Sequence, residues 1–122
     1  MIAIGRVVPV LRMFDVAKAR EFYLDYLGFT LDFEHRFGDN FPLYMGVSRD
    51  ACTLHLTEHH GDVCPGSHIR IETHDIGALA AGLAAKDYRY AKPGAPTETP
   101  WATRELSITD PFGNRLTFTQ AN

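Results

Sequence analysis

The chain has 122 residues, 45% of them hydrophobic, with 12 basic against 15 acidic side chains and a formal net charge of −3. That is enough apolar material for one compact core. Nothing resembles a basic stripe, which speaks against nucleic acid as a partner, and no apolar run approaches the roughly 18 to 20 residues that span a bilayer. The opening Met1-Ile2-Ala3-Ile4-Gly5-Arg6 lacks the charged start, long apolar run and cleavage site of a signal peptide. The two cysteines, Cys52 and Cys64, fit reduced thiols better than a disulfide scaffold, so a cytoplasmic protein is expected.

In chain order, the first strand is expected at about 4–12, with Pro9 marking it as an edge or an exchange point. Asp15 then caps a helix running to about Leu27. Val16, Ala19, Phe22, Tyr23, Tyr26 and Leu27 form its apolar stripe, and Gly28 supplies a left-handed stop. Three alternating runs follow, at about 29–37, 43–48 and 52–57. A connector rich in Gly, Pro and His, from His59 to Gly66, leads to a strand at about 67–73. Asp75 caps a second, alanine-rich helix with Ile76, Leu79, Ala80, Leu83 and Ala84 on its stripe, weakened by Gly77 and Gly82. Strands are expected again at about 88–91, 104–109 and 115–119, with Lys92 to Pro100 as loop.

The two halves echo each other. Residues 8–15 read Val-Pro-Val-Leu-Arg-Met-Phe-Asp and residues 68–75 read His-Ile-Arg-Ile-Glu-Thr-His-Asp, each an alternating strand ending on a helix-capping Asp. Thr53-Leu54-His55-Leu56-Thr57 is echoed by Arg115-Leu116-Thr117-Phe118-Thr119. The pattern implies a duplicated unit. The expected fold is α+β: a single domain, 1–122, made of two βαβββ modules at about 1–60 and 66–122. Their curved, antiparallel-rich mixed sheets would line a cleft, with the helices outside. Strand parity turns Leu54, Ile69, Ile71, Leu106, Ile108, Leu116 and Phe118 towards the helices. It leaves Val8, Val10, Arg12, Thr53, His55, Thr57, His68, Arg70, Glu72, Glu105, Ser107, Thr109, Arg115, Thr117 and Thr119 on the opposite faces. Half-sheets of this kind leave edges that need a partner, so a homodimer is expected.

Val10-Leu11-Arg12-Met13-Phe14-Asp15, Glu21-Phe22-Tyr23 and Tyr26-Leu27-Gly28-Phe29 at the start, with Asp110-Pro111-Phe112-Gly113-Asn114-Arg115-Leu116 near the end, resemble the vicinal oxygen chelate superfamily. This is the glyoxalase, extradiol dioxygenase and bleomycin-resistance group, and the resemblance covers nearly the whole chain. Leu27-Gly28-Phe29-Thr30-Leu31-Asp32-Phe33 and Pro100-Trp101 with Arg104-Glu105-Leu106 are similar to the bleomycin-resistance proteins within it. That resemblance implies a dimer that sequesters a cationic, aromatic antibiotic in clefts between subunits, without metal, cofactor or catalysis.

Catalytic members of the superfamily place His or Glu at four positions. The repeat maps these to Val8, His55, His68 and Thr117 here, leaving two histidines where a catalytic metal generally takes three protein ligands. No native catalytic metal and no catalytic residue is therefore expected. The alternative is a metal-dependent lyase, transferase or dioxygenase using His55 and His68. The binding reading takes Asp32, Phe33, Phe37, Phe41, His55, His68, Trp101 and Glu105 as ligand-binding residues. Phe33, Phe37 and the single Trp, Trp101, would stack on planar groups, and Asp32, Glu34, Asp39 and Glu105 would attract cationic ones. His59, His60 and Cys64 read as solvated connector residues.

Overall fold

A computed structural model of the chain describes residues 1–122. The first sheet contains β1 (Val10–Arg12), β2 (Thr30–His35), β3 (Tyr44–Arg49) and β4 (Cys52–Thr57), in the order β1-β4-β3-β2. The second contains β5 (His68–Glu72), β6 (Thr97–Glu98), β7 (Thr103–Thr109) and β8 (Arg115–Ala121), in the order β5-β8-β7-β6. In each, the first and last strands pair parallel and the rest antiparallel. The sheets are two copies of one topology, as the sequence echo implies.

Between β1 and β2 the chain forms α1 (Val16–Arg20), capped by Asp15 through its bond from the Lys18 N–H, and a π-helical continuation over Glu21–Tyr26. The Leu27 N–H reaches back five residues to the Phe22 carbonyl, and Gly28, at φ 75°, ends the segment. Ala19, Phe22, Tyr23, Tyr26 and Leu27 are buried, as their spacing predicts. The second helix, α2 (Ile76–Ala85), buries Ile76, Ala80 and Leu83, whereas Ala84 is exposed. Both helices pack on the apolar sheet faces. Leu54, Leu106, Ile108, Leu116 and Phe118 join one continuous core, and Ile69 and Ile71, on edge strand β5, are half-buried against it.

The Asp110–Asn114 turn does more than reverse the chain. Asp110 accepts from the Tyr23 hydroxyl at 2.6 Å and from the Phe112 and Asn114 N–H groups at 2.8 Å each. The Asn114 side-chain amide donates to the Arg12 carbonyl at 2.8 Å. The second sheet's turn is thereby bonded to α1's continuation and to β1. Burial, then the neighbouring Asp110 charge, pushes the Tyr23 phenol well above its ordinary value and keeps it a donor.

Three expectations need correction. The first strand spans only Val10–Arg12: residues 1–9 form no strand, because the Pro9 carbonyl accepts from the His55 N–H at 2.9 Å but Pro9 has no N–H to give and the pairing goes no further back. Residues 88–91 are not a strand. Tyr88 packs on Tyr26 with ring centroids 4.7 Å apart and donates to Glu21, so its alternation with Tyr90 reflects packing on the first helical segment. The remaining strand of the second sheet, β6, lies inside the proline-rich stretch read as loop.

Candidate functional site

Pairing in the first sheet sets side chains in rows. Leu11, Leu56 and Met45 form a buried row facing the helices. On the other face lie two polar and aromatic rows: Val10, His55, Gly46 and Phe33, then Arg12, Thr57, Tyr44 and His35. Asp32 and Phe33 are expected in one site, yet strict alternation would turn neighbours to opposite faces. A β-bulge between Leu31 and Phe33 resolves this. Phe33 lies opposite Gly46, and Asp32, the extra residue, accepts from Ser48 at 2.9 Å.

Glycine at position 46 gives the Phe33 ring its seat. The ring is held edge-on to His55, centroids 5.2 Å apart, and is near-parallel to Tyr44 at 6.2 Å. The Tyr44 hydroxyl and His55 Nδ1 are 2.7 Å apart, which fixes the imidazole. Burial, then the Asp62 charge, raises the Tyr44 phenol above its usual range. Beside these rings is a cavity of about 420 Å³ lined by Phe33, His35, Phe37, Tyr44, His59 and Asp62. Asp62 accepts from the Thr57 hydroxyl at 2.7 Å, folding the connector back over the end of β4.

The expected ligand residues therefore fall into two groups. Phe33 and Phe37 line the cavity, His55 supports the Phe33 ring, and Asp32 lies on the same sheet face. Phe41 sits at the outer loop against Gly38 and is exposed. His68, Trp101 and Glu105 belong to the second sheet and do not line this cavity. His35, Tyr44, His59 and Asp62 complete it. Of these, His59 had been read as a solvated connector residue, and its half-buried position beside Phe37 corrects that.

On the second sheet, Trp101 is 61% exposed and its indole N–H donates to Glu105 at 3.1 Å. Ala102, at φ 64°, holds the turn that projects the indole, a conformation costly for a residue with a Cβ. Glu105 is also ion-paired to Arg70 and accepts from Thr103 at 2.9 Å and Thr119 at 3.1 Å. Arg70 first, then Trp101, with smaller contributions from Thr103 and Thr119 and against the effect of burial, hold its carboxyl down at about 2. The carboxylates expected to draw a cation are largely occupied. Glu105 serves Arg70, Asp32 serves Ser48, and Glu34 points to the helix side and pairs with Arg20.

The residues at the superfamily's metal positions do not fit a metal. Val8 offers no donor, His55 Nδ1 is engaged by Tyr44, and His68 Nε2 lies 2.8 Å from Thr117 Oγ1 on the other sheet. No three His, Cys, Asp or Glu side chains converge as a ligand set. Cys52 is half-buried, and burial raises its thiol, which makes it a poor nucleophile.

Comparisons with known proteins agree with this architecture. No curated protein matches the chain. Among solved structures, the bleomycin-binding protein from bleomycin-producing Streptomyces verticillus, complexed with copper(II)-bleomycin, superposes with a TM-score of 0.74 at 32% identity. That match covers 100% of this chain and 99% of the other. TnmS3, an antibiotic-binding protein from Streptomyces sp. CB03234, superposes with a TM-score of 0.80 at 25% identity, covering 100% of each chain. The bleomycin resistance determinant encoded on transposon Tn5 shares the fold, with a TM-score of 0.75 at 20% identity, covering 98% of this chain and 99% of that one. A family model described as "Glyoxalase superfamily protein" matches residues 1–122. The chain belongs to the glyoxalase superfamily.

Proposed function

We propose that the protein binds and sequesters a small molecule with a planar aromatic portion, without transforming it, and that a bleomycin-family antibiotic is the ligand to test first. The observation that carries this is the cavity itself: Phe33, Phe37 and Tyr44 present ring surfaces beside a space of about 420 Å³, with no nucleophile or metal-ligand set among them. Ligand pockets are commonly built this way, from aromatic walls with a few placed polar groups. The likeness to antibiotic-binding structures at 32% and 25% identity supports the same reading. With Glu105 and Asp32 bonded internally, attraction comes from stacking more than from charge.

The working form in this reading is a cytoplasmic homodimer of the two-module chain. Two features support pairing. The polar face of the second sheet leaves His68, Arg70, Ser107 and Arg115 exposed. Residues 1–9 expose Ile2, Ile4 and Val7 outside any strand. No helix is long and apolar enough to cross a membrane.

Calorimetric titration with metal-free and copper-loaded bleomycin tests the proposal, together with protection of DNA from bleomycin cleavage. Saturable binding with protection is expected. Neither heat nor protection would leave bleomycin excluded as the ligand. Light scattering at micromolar concentration should give twice the chain mass, and a monomer would overturn the dimer.

A further inference from the structure

A second cavity, of about 430 Å³, lies where the first helical segment meets the turn after β7. Lys18 and Phe22 come from that segment, Tyr88 and Tyr90 from the chain after α2, and Asp110 and Pro111 from the turn. It shares no residue with the cavity of the first sheet.

Much of its surface is ring. Phe22 is buried beneath it, and Tyr88 is half-buried against Tyr26. Tyr90 meets Tyr88 edge-on, with centroids 5.6 Å apart. Tyr90 is 58% exposed and Pro111 is exposed as well, so both offer apolar surface that water now covers. A flat aromatic group laid there removes that surface from water.

The polar groups of the wall decide what else the occupant carries. Asp110 is its one carboxylate, and it is fully used. Its Oδ1 accepts from the Phe112 and Asn114 N–H groups, and its Oδ2 from the Tyr23 hydroxyl and the Asn114 side-chain amide. A carboxylate has about four acceptor positions, so none is left for a cationic ligand. The Tyr88 hydroxyl is spent on Glu21 at 2.7 Å.

The Lys18 ammonium is not spent. It lies 4.5 Å from the centre of the Tyr90 ring and 3.7 Å from Glu21 Oε1, too far for a hydrogen bond. That pair is solvent-screened and weak. The same Glu21 oxygen holds the Tyr88 hydroxyl, so Glu21 keeps a partner when the ammonium turns to a ligand. A second cation, the Arg89 guanidinium, stands 5.0 Å from the centre of the Tyr90 ring. The open hydrogen-bonding capacity of this wall is therefore centred on a cation beside a ring.

We propose that this cavity is a separate binding site for a small aromatic acid, its ring held against Tyr88, Tyr90 and Pro111 and its carboxylate on the Lys18 ammonium. The site goes beyond the binding role given to the first sheet and does not depend on it. An ammonium donating to a carboxylate makes the stronger, charge-assisted kind of hydrogen bond. Because the ammonium stands so close to the Tyr90 ring, an acid group carried near the ligand's own ring can reach it.

The test uses three probes that share an indole: indole-3-acetate, tryptophol and tryptamine. Each is titrated into isotope-labelled full-length protein, and affinity is read from the backbone amide shifts of Lys18 and Tyr90, with those of Phe33 and Phe37 followed separately. Each cavity is thereby read on its own. At Lys18 and Tyr90, indole-3-acetate is expected to bind about tenfold more tightly than tryptophol, the scale of one charge-assisted hydrogen bond, and tryptamine more weakly still. Lys18→Met keeps the aliphatic stem and should bring the acid down to the alcohol, whereas Lys18→Arg should retain the preference. Tyr90→Ala should weaken all three probes, and Phe33→Ala should leave the affinities at this site unchanged. An acid that binds no better than the alcohol, or an acid preference that survives Lys18→Met, overturns the proposal. Shifts confined to Phe33 and Phe37 overturn it too, while leaving the binding role of the first cavity in place.

Discussion

The Phe33 ring occupies the space that any side chain at position 46 would fill: a β-carbon placed on Gly46 would lie 2.3 Å from Phe33 Cε1. The aromatic wall of the cavity is therefore set by a glycine on the neighbouring strand. Gly46→Ala should push the ring off its seat, with an overpacking cost of about 1–3 kcal/mol. Thermal denaturation would read the stability loss, and ligand titration should show a larger loss of affinity than the same substitution causes on the second sheet, at Ser107.

Trp101 is exposed and held by one bond to Glu105, so its removal should leave the fold within about 0.5 kcal/mol of wild type. If its ring stacks on ligand, Trp101→Ala weakens binding by about 1 kcal/mol, roughly fivefold. As the single Trp, it should also report binding through its own fluorescence, and an unchanged spectrum at saturation would place the ligand elsewhere.

Glu105 sets a pH dependence. Its folded carboxyl lies at about 2 against an ordinary 4.5, so the folded state prefers the ionised form. The stability this gives is fully present above about pH 4.5 and is lost as pH falls towards about 2. Urea midpoints measured across that window should fall for wild type and fall less for Glu105→Gln, which has no proton to take up there.

Asn114 is fully buried and bonds Arg12, Asp110 and Ser67. Asn114→Ala strands several of these groups and should destabilise the chain by about 2–4 kcal/mol in chemical denaturation. Asn114→Asp should be worse, since it sets a second carboxylate against Asp110.

Removing residues 1–8 takes away Ile2, Ile4 and Val7 but leaves all of β1 in place. The shortened protein should keep its far-UV circular dichroism and lose dimer affinity in sedimentation equilibrium. A dimer as tight as before would assign pairing to the sheet faces alone.

Much of the architecture was legible because burial follows strand parity. Leu54, Leu106, Ile108, Leu116 and Phe118 alternate with polar residues, and all are buried. The helix stripe from Ala19 to Leu27 was equally plain. What sequence missed depends on contacts distant along the chain. Tyr88 and Tyr90 alternate like a strand but answer to Tyr26 and Lys18. His59 and Asp62 sit in a Gly- and Pro-containing connector that looks solvated, and the Thr57 hydroxyl, bonded to the His59 N–H and to Asp62, ties that connector to the end of β4. Tyr44 shares a face with His55 only through the β3–β4 register, which no single strand reveals.

The bulge in β2 also decides how the chain tolerates changes in length. Leu31 pairs with Val47 and Phe33 with Gly46, so Asp32 is a supernumerary residue between two properly matched neighbours. Deleting it should preserve both pairings and sacrifice only the bond to Ser48. Deleting Glu34, one step beyond Phe33, would instead shift His35 out of phase and turn it from the cavity towards the core. A single codon thus separates a silent shortening from one that dismantles a wall of the pocket.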